Sequence, residues 1–189
     1  MQTSTRTQLL TAAEIVVRRH GYAGFSYADL TTRVGIRKAS VHHHFPAKED
    51  LGVALVNAYA ERFARALADI LLATDTATGR LDAYAGLYRS GLRAGQGCLC
   101  GVLASELQEL PERIQGGVHR FFKLNADWLE TVIAAGQGDG CLRADLEPRP
   151  QAFAILASLQ GAMLVGLALG SIAAFDAAAT TSLTALRRL

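Results

Sequence analysis

Residues 26–45 read SYADLTTRVGIRKASVHHHF and carry the pattern that decides the fold of the chain. The hydroxyl of Ser26 is suited to capping a helix, and Asp29 three residues later suits the positive N-terminal end of that helix. Gly35 ends this helix, because glycine adopts the left-handed backbone that closes many helices. A second, short helix follows, and Pro46 stops it. The stretch therefore predicts a helix-turn-helix.

The second helix, from Arg37 or Lys38 to Phe45, carries positive charge at its beginning. Val41 and Phe45 are four residues apart and are predicted to face inward with Ile36. Cations at a helix N-terminus interact unfavourably with the helix dipole, at a small cost in free energy. A DNA phosphate or a guanine edge bound there would interact favourably with the same cations. The face predicted to point to solvent holds Lys38, Ala39, Ser40, His42 and His43.

An ordinary solvated pair of cations is the alternative for Arg37 and Lys38, and it is a common role for charged residues on a helix. The small side chains of Ala39 and Ser40 favour a binding role, since they allow DNA to approach closely. The adjacent histidines 42–44 are not predicted to bind a metal. Neighbours in a helix point about 100° apart, whereas ligands are usually spaced i,i+4. We expect neither a metal nor a cofactor.

The charge of the chain is concentrated near its N-terminus. The 189 residues carry 19 Lys and Arg against 17 Asp and Glu, a formal net charge of +2 that by itself argues against a nucleic-acid partner. Up to residue 50 there are seven basic and four acidic residues, and four of the five histidines lie in the same segment. The small total thus conceals a basic segment beside a neutral remainder, which fits a polyanionic partner.

Composition also predicts the compartment. Half of the residues are hydrophobic, which is enough to build a substantial core. The three cysteines are an odd number without paired spacing, so a disulfide framework is excluded and a reducing compartment fits best. The first eight residues are polar and lack the apolar run of a secretory signal. We therefore expect a cytoplasmic protein.

Helical patterning covers almost the whole chain, and strict apolar alternation is nearly absent. We predict an all-α fold of about nine helices. Their predicted bounds, in chain order, are Arg6–His20, 26–34, 37–45, 47–72, Gly79–Ala94, Val102–Leu110, Glu112–Gly136, Gln151–Ala168 and Asp176–Arg188.

The segment from Thr5 to about Leu55 resembles the DNA-binding domain of the TetR family of transcriptional regulators. The resemblance implies an N-terminal three-helix DNA-binding domain over residues 1–50. It further implies a larger helical domain over residues 51–189 that binds an effector and dimerises. The matching pieces are Thr5-Arg6, LLTAA at 9–13, Gly21-Tyr22, ADL at 28–30, VGI at 34–36 and KASVHHHFPAKEDL at 38–51.

Carried over residue by residue, the resemblance implies a set of contacts to bases or phosphates. Lys48 would hold a backbone phosphate from the start of its helix. Two positions depart from the family pattern, which often has Gly at Ala39 and usually has Tyr at His42. The implied contact residues are Tyr27, Arg37, Lys38, Ala39, Ser40, His42, His43 and Lys48.

Residues 79–137 are expected to contain the effector pocket. Cys98, within Gly97-Cys98-Leu99 and followed by Glu106, resembles a stretch of TetR-type regulators that respond to electrophiles or oxidants. A small buried hydrophobe is the alternative role for this cysteine. The polar and aromatic side chains most suited to lining a pocket, each also compatible with an ordinary core position, are Tyr84, Tyr88, Cys98, Gln115, His119, Phe122 and Trp128.

No charged residue occurs between Arg149 and Asp176, a stretch long enough to span a bilayer. It lacks the Trp and Tyr that usually mark membrane interfaces. Together with the resemblance, this predicts a homodimer through residues 151–170 and 176–189 and no membrane span. Small residues that can share one helix face and allow close packing of two helices are Ala154, Ala157, Gly161 and Ala168.

These observations predict a sequence-specific DNA-binding regulator, a repressor that leaves a palindromic operator when a small-molecule effector binds. Sensing of electrophiles or oxidants through Cys98 is an alternative mode of control. A thiol-based redox enzyme using Cys98 or Cys100 is a competing class, but the chain shows no adjacent base, phosphate loop or dinucleotide fingerprint. We therefore expect no enzymatic activity. A membrane-anchored protein using residues 151–175 is the third hypothesis.

Overall fold

The computed structural model describes residues 4–188, and nine α-helices with one 3-10 turn make up the helical structure in that range. The only extended pairing among these residues is an isolated antiparallel bridge between Leu142 and Arg187. The all-α prediction is confirmed. The helices are α1 Thr5–His20, α2 Tyr27–Val34, α3 Lys38–His44, α4 Lys48–Ala73, α5 Ala77–Arg93, α6 Leu99–Ser105, α7 Glu112–Gly138, α8 Pro148–Leu169 and α9 Ile172–Thr184.

Side-chain hydrogen bonds determine where α1 and α2 begin. The hydroxyl of Ser4 accepts a hydrogen bond from the Thr7 backbone N–H at 3.2 Å and caps α1. The Asp29 carboxylate accepts the backbone N–H and the hydroxyl of Ser26, both at 2.8 Å, and these bonds hold the pKa of Asp29 below its usual value. The predicted start of α2 at Ser26 is confirmed.

Gly35 makes the turn between α2 and α3. Its φ of 73° and ψ of 31° are left-handed, and its N–H donates to the Thr31 carbonyl at 2.9 Å. The short α3 that follows packs through Val41 and Phe45, both of which are buried. The helix-turn-helix predicted from the sequence is therefore present.

The described chain forms two compact units. One comprises the residues up to Glu61 together with Leu99–Phe121, and the other comprises Arg62–Cys98 together with the chain from Phe122 onward. Both long helices, α4 and α7, contribute residues to each unit. The division of the sequence at residue 50 stays a prediction about domains, and the compact units follow a different, discontinuous division.

In the second unit, α5, α8 and α9 pack on one another around apolar side chains such as Leu81, Leu159 and Phe175. Gly166 of α8 lies where a Cβ atom would come within 3.0 Å of the Leu92 side chain and 3.2 Å of the Ser171 carbonyl oxygen, so a larger residue would require its neighbours to give by a few tenths of an ångström. Close approach here depends on glycine.

The single helix predicted over Val102–Leu110 is wrong. The structure has α6 over Leu99–Ser105, followed by a separate 3-10 turn over Leu107–Glu109. The helix stops because the Glu106 N–H turns to the Leu103 carbonyl, three residues back, at 3.2 Å.

The helix predicted over Asp176–Arg188 is shifted relative to the structure. It begins earlier, because the Ser171 hydroxyl accepts the Ala174 N–H at 3.2 Å and caps α9. It also ends earlier, because the chain after Thr184 pairs with another segment: the Arg188 N–H donates to the Cys141 carbonyl at 3.3 Å. Leu189, the last residue of the predicted dimer segment 176–189, lies outside the described residues, as do residues 1–3.

The left-handed turn at Gly35 generates a stability prediction. Gly35→Ala should lower the free energy of unfolding by about 1 kcal/mol, because an L side chain is strained at this φ although no atom lies within 4 Å of the added Cβ. Gly86→Ala, with equally open space but within helix α5, should raise it by about 0.5 kcal/mol. Urea unfolding followed by circular dichroism measures both, and equal effects of the two substitutions would contradict the prediction.

Candidate nucleic-acid interface and effector residues

The solvent face of α3 holds most of the predicted contact residues. Arg37, Lys38 and Ala39 are exposed at the start of the helix, and Ser40 beside them is half-buried. Because α3 is anchored by Val41 from beneath, this face projects away from the core of its unit. The structure thus brings two cations and two small side chains together on one exposed surface.

Two exposed histidines extend this surface, and each contacts a neighbour. The ring of His42 meets the ring of Tyr27 edge-on with 4.9 Å between centroids, and its Nδ1 lies 3.3 Å from the Pro46 carbonyl oxygen. The ring of His43 meets that of His44 at 5.4 Å. His42 therefore has a local hydrogen-bonding partner, whereas the exposed His43 contacts another imidazole.

Tyr27 lies in the core of this unit and not on the solvent face of α3. Its side chain is 8% exposed, and its hydroxyl donates a hydrogen bond to the Phe45 carbonyl at 2.7 Å. Burial raises the pKa of the hydroxyl. The contact to DNA that the resemblance implied for Tyr27 is not supported by this position, because its polar atom is already used to fix the end of α3.

Lys48 occupies the start of α4 and is half-buried. Its ammonium lies 4.6 Å from the ring centroid of Tyr22 and 5.0 Å from that of Phe25, so two aromatic rings hold the cation. Burial lowers the pKa of Lys48. Burial, followed by the nearby Glu49 carboxylate, raises the pKa of Tyr22 to about 12, so the phenol stays neutral at physiological pH.

Sequence reasoning missed a residue that shapes this region. The carboxylate of Glu106 accepts the backbone N–H of Tyr22 at 3.0 and 3.2 Å and that of Ala23 at 3.0 Å. Glu106 is more than 80 positions from Tyr22 and Ala23, so no local sequence pattern predicts the contact. Glu106 was part of the sequence resemblance around Cys98, but that resemblance implied no role for it.

Three of the predicted effector residues meet in the second unit. Tyr84 stacks on Trp128 with ring centroids 5.4 Å apart, and its hydroxyl lies 3.1 Å from that of Tyr88. The same hydroxyl donates to Oδ1 of Asn125 at 2.8 Å, and burial strongly raises the pKa of Tyr84. Asn125 was missed by the sequence analysis, although a polar residue three positions before Trp128 on an inward helix face was a usable signal.

The remaining predicted effector residues are distributed differently. Cys98 is 5% exposed, and its thiol contributes to the raised pKa of Tyr84 after the larger effect of burial. Phe122 is half-buried in the same unit. Gln115 and His119 belong to the first unit, where the Gln115 amide donates to the Leu110 carbonyl at 2.7 Å and His119 is exposed.

Comparison with known proteins identifies the family. The model for bacterial regulatory proteins of the tetR family matches residues 9–55, and the model for the tetracyclin repressor-like C-terminal domain matches residues 77–182. The chain belongs to the TetR family of transcriptional regulators. The resemblance seen in the sequence is confirmed, and with it a DNA-binding regulator built from an N-terminal helix-turn-helix domain and a C-terminal helical domain.

Individual relatives agree with this membership. The chain is 30% identical to the HTH-type transcriptional repressor DhaR of Mycobacterium sp. strain GP1, over 86% of this chain and 82% of DhaR. It is 26% identical to the HTH-type transcriptional repressor NemR of Escherichia coli K12, over 85% of this chain and 82% of NemR. A TetR family regulator from Agrobacterium tumefaciens shares its fold with a TM-score of 0.94 and 34% identity, covering 97% of both chains.

Two other features of this TetR family member bear on its classification. Within residues 4–188, no three His, Cys, Asp or Glu side chains are grouped as they would be around a metal ion. In the same range, α8 is the one helix long and apolar enough to cross a membrane, with a mean hydropathy of 2.0 over its most apolar window. Only 39% of that window is buried, so α8 presents an apolar surface.

The position of Tyr27 in this helix-turn-helix domain predicts a stabilising role. Tyr27→Phe should lower the free energy of unfolding by about 1 kcal/mol, because it removes the donor to a buried carbonyl. Affinity for operator DNA, measured by fluorescence anisotropy on the folded protein, should remain that of the wild type. A loss of affinity with unchanged stability would instead make the hydroxyl a DNA contact.

Proposed function

We propose that this regulator is a repressor that binds a palindromic operator as a homodimer and is released when a small-molecule effector binds. The observation that carries the proposal is the exposed face of α3, where Arg37 and Lys38 adjoin the small Ala39 and Ser40. Small side chains permit the backbone to approach a groove, and the cations supply phosphate or guanine contacts. DhaR and NemR, to which the chain is similar, are themselves named as repressors.

The contact residues divide by the chemistry they offer. Lys38 and Arg37 are assigned to phosphates or guanine edges, and Lys48 to a phosphate beside the start of α4. Ser40 and His43 offer hydrogen bonds to base edges, while Ala39 leaves room for a thymine methyl. His42 supports the interface through its contact with Tyr27 and offers its ring edge. Tyr27 is assigned a supporting role instead, because its hydroxyl donates to the Phe45 carbonyl and its side chain is buried.

The dimer is proposed to form through α8 and α9, within the predicted segments 151–170 and 176–189. Along α8 the exposed residues fall on one face, and none carries a charge. A large exposed apolar face on a soluble protein marks an interface. We assign it to a second copy of the chain, because a two-fold protein matches two half-sites. The residues of this face are Phe153, Ala154, Ala157, Gly161, Leu164, Val165, Ala168 and Leu169.

The effector is proposed to bind at the polar and aromatic cluster of the second unit. The indole Nε1 of Trp128 is buried and has no hydrogen-bond partner among the described residues, which leaves a donor for a ligand. Tyr84, Tyr88 and Asn125 are uncharged, and the Gln160 amide donates to the Tyr88 hydroxyl at 3.4 Å. This chemistry suits an uncharged effector with a hydrogen-bond acceptor.

Effector binding is proposed to shift the population of orientations of the head, the helix-turn-helix domain formed by α1, α2 and α3. A ligand can do this only if it favours one conformation over another. Helices α4 and α7 both contribute residues to each unit, and we assign this role to α4 because it directly follows the helix-turn-helix in the chain. The protein is proposed to act in the cytoplasm, without enzymatic activity and without a cofactor.

A second mode of control is sensing of electrophiles or oxidants through Cys98. The observation that favours it is that Cys98 belongs to the same compact unit as the effector cluster and contributes, after burial, to the raised pKa of Tyr84. Because the side chain is 5% exposed, a reagent reaches it only when the chain opens locally. The thiol therefore fits slow sensing better than rapid exchange.

Operator binding is tested with DNA from upstream of the gene for this chain. Lys38→Ala should weaken binding about tenfold and make the dependence on salt less steep by about one ion per half-site, because one phosphate contact is lost. Lys123→Ala is the matched control, since that exposed lysine pairs with Asp127 in the other unit. Equal operator affinities of the two variants would contradict the assignment of the α3 face as the DNA-binding surface.

The dimer assignment is tested by charge placed on the apolar face of α8. Leu164→Lys, at a position 70% exposed, should shift the protein to monomer and weaken operator binding, because two facing cations would be buried against each other. Leu72→Lys, at a position 85% exposed on α4, is the control and should remain dimeric. Light scattering coupled to size exclusion reads both, and a dimer in both variants would overturn the assignment.

A further inference from the structure

Residues Leu99–Phe121 follow the helix-turn-helix domain by more than 40 positions, yet they belong to the same compact unit. They include α6, the 3-10 turn and the beginning of α7. Leu99 follows Cys98 directly, and α7 continues past Phe121 to Gly138, so the segment is joined at both ends to the chain of the second unit. It is a part of the effector-domain sequence that packs with the head.

Glu106 makes a close polar contact between this segment and the head. Its two carboxylate oxygens accept three hydrogen bonds of 3.0 to 3.2 Å from the N–H groups of Tyr22 and Ala23. Hydrogen bonds to an ionised acceptor are stronger than neutral ones, and the N–H groups that follow a helix need partners. The carboxylate thus holds the turn that joins α1 to α2.

Gly21 shows how closely the carboxylate sits on this turn. A Cβ atom at Gly21 would lie 1.8 Å from Oε1 of Glu106, and the φ of 75° at this position is itself unsuited to a side chain. The carboxylate therefore occupies the space that a side chain at position 21 would need. A residue with any side chain at position 21 would displace Glu106.

The same turn carries the aromatic rings that hold Lys48. Tyr22 and Phe25 flank the ammonium at 4.6 and 5.0 Å, and Glu106 is close enough to act electrostatically on this lysine. A second contact from the segment reaches the same helix start, where Arg113 lies 3.2 Å from Asp50 and 3.6 Å from Glu49. Movement of residues 99–121 would thus be felt at the beginning of α4.

We propose that Glu106 is a positioning residue for operator binding, which holds the α1–α2 turn and the phosphate-binding Lys48 in place and links them to the effector-domain chain through α6. The inference rests on operator binding as proposed above. Glu106 itself does not contact DNA in the proposed complex. It acts through the turn, and a change in the docking of α6 adds a second route, beside α4, by which the effector-domain chain alters the head.

The test measures the link from both ends. Operator affinity is measured by anisotropy, and labelling of Cys98 by N-ethylmaleimide is followed by peptide mass spectrometry with and without operator. Cys98 directly precedes α6 and is 5% exposed, so its labelling reports local opening there. In the wild type, operator should slow this labelling, because ligand binding at one end of a coupled system stabilises the other.

Glu106→Gln should weaken operator binding about tenfold and abolish the effect of operator on Cys98 labelling, because an amide offers one acceptor where the carboxylate offers two. Glu109→Gln removes an exposed carboxylate three positions later and should behave as the wild type. Gly21→Ala approaches the same contact from the α1 side and should reproduce the loss, so a poorly folding Glu106 variant does not end the test.

The outcomes separate this inference from the proposed function. Failure of the wild type to bind operator overturns the proposed function and the inference with it. Normal wild-type binding, with Glu106→Gln retaining both full affinity and the operator effect on labelling, overturns the inference alone. A Glu106 variant that is less thermostable but unchanged in both readouts shows a purely structural role and also overturns it.

Discussion

The recognition surface depends on the burial of Val41 and Phe45. A helix of seven residues such as α3 is not stable alone, since helix formation has a costly nucleus. Burying each of these side chains contributes on the order of 2 kcal/mol, which is what holds α3 against its unit. The burial of Val41 also decides orientation: Ala39 lies on the opposite side of the helix and faces solvent, and Lys38 is exposed as the first residue of α3. The Tyr27 hydroxyl then ties the end of the helix through the Phe45 carbonyl.

The basic residues and the apolar surface lie in different parts of the chain. The excess of basic residues lies in the first 50 positions, where it can attract DNA from a distance, while the uncharged face of α8 supplies an apolar surface suited to a second copy. In the proposed complex neither feature would suffice alone, because one α3 would read only a half-site and a dimer without cations would bind no phosphate. Glu106 joins these functions by tying an effector-domain segment to the turn beneath Lys48.

Local chemistry determined which features could be predicted from the sequence. The start of α2 at Ser26, its end at Gly35 and the exposed face of α3 follow from capping, backbone freedom and helical spacing, and all three are present in the structure. The burial of Tyr27 and the role of Glu106 depend on contacts between residues far apart in sequence, which no spacing rule contains. The same limit explains why Gln115 and His119 were grouped with Tyr84 although they belong to another unit.

In the proposed complex, the solvent face of α3 enters the major groove of DNA at two half-sites. Methylation interference on the operator tests it most directly, because methylation at guanine N7 blocks the major groove and methylation at adenine N3 blocks the minor groove. We predict interference by N7 methylation in two patches about one helical turn apart. Interference confined to adenine N3, or a single patch, would contradict the account.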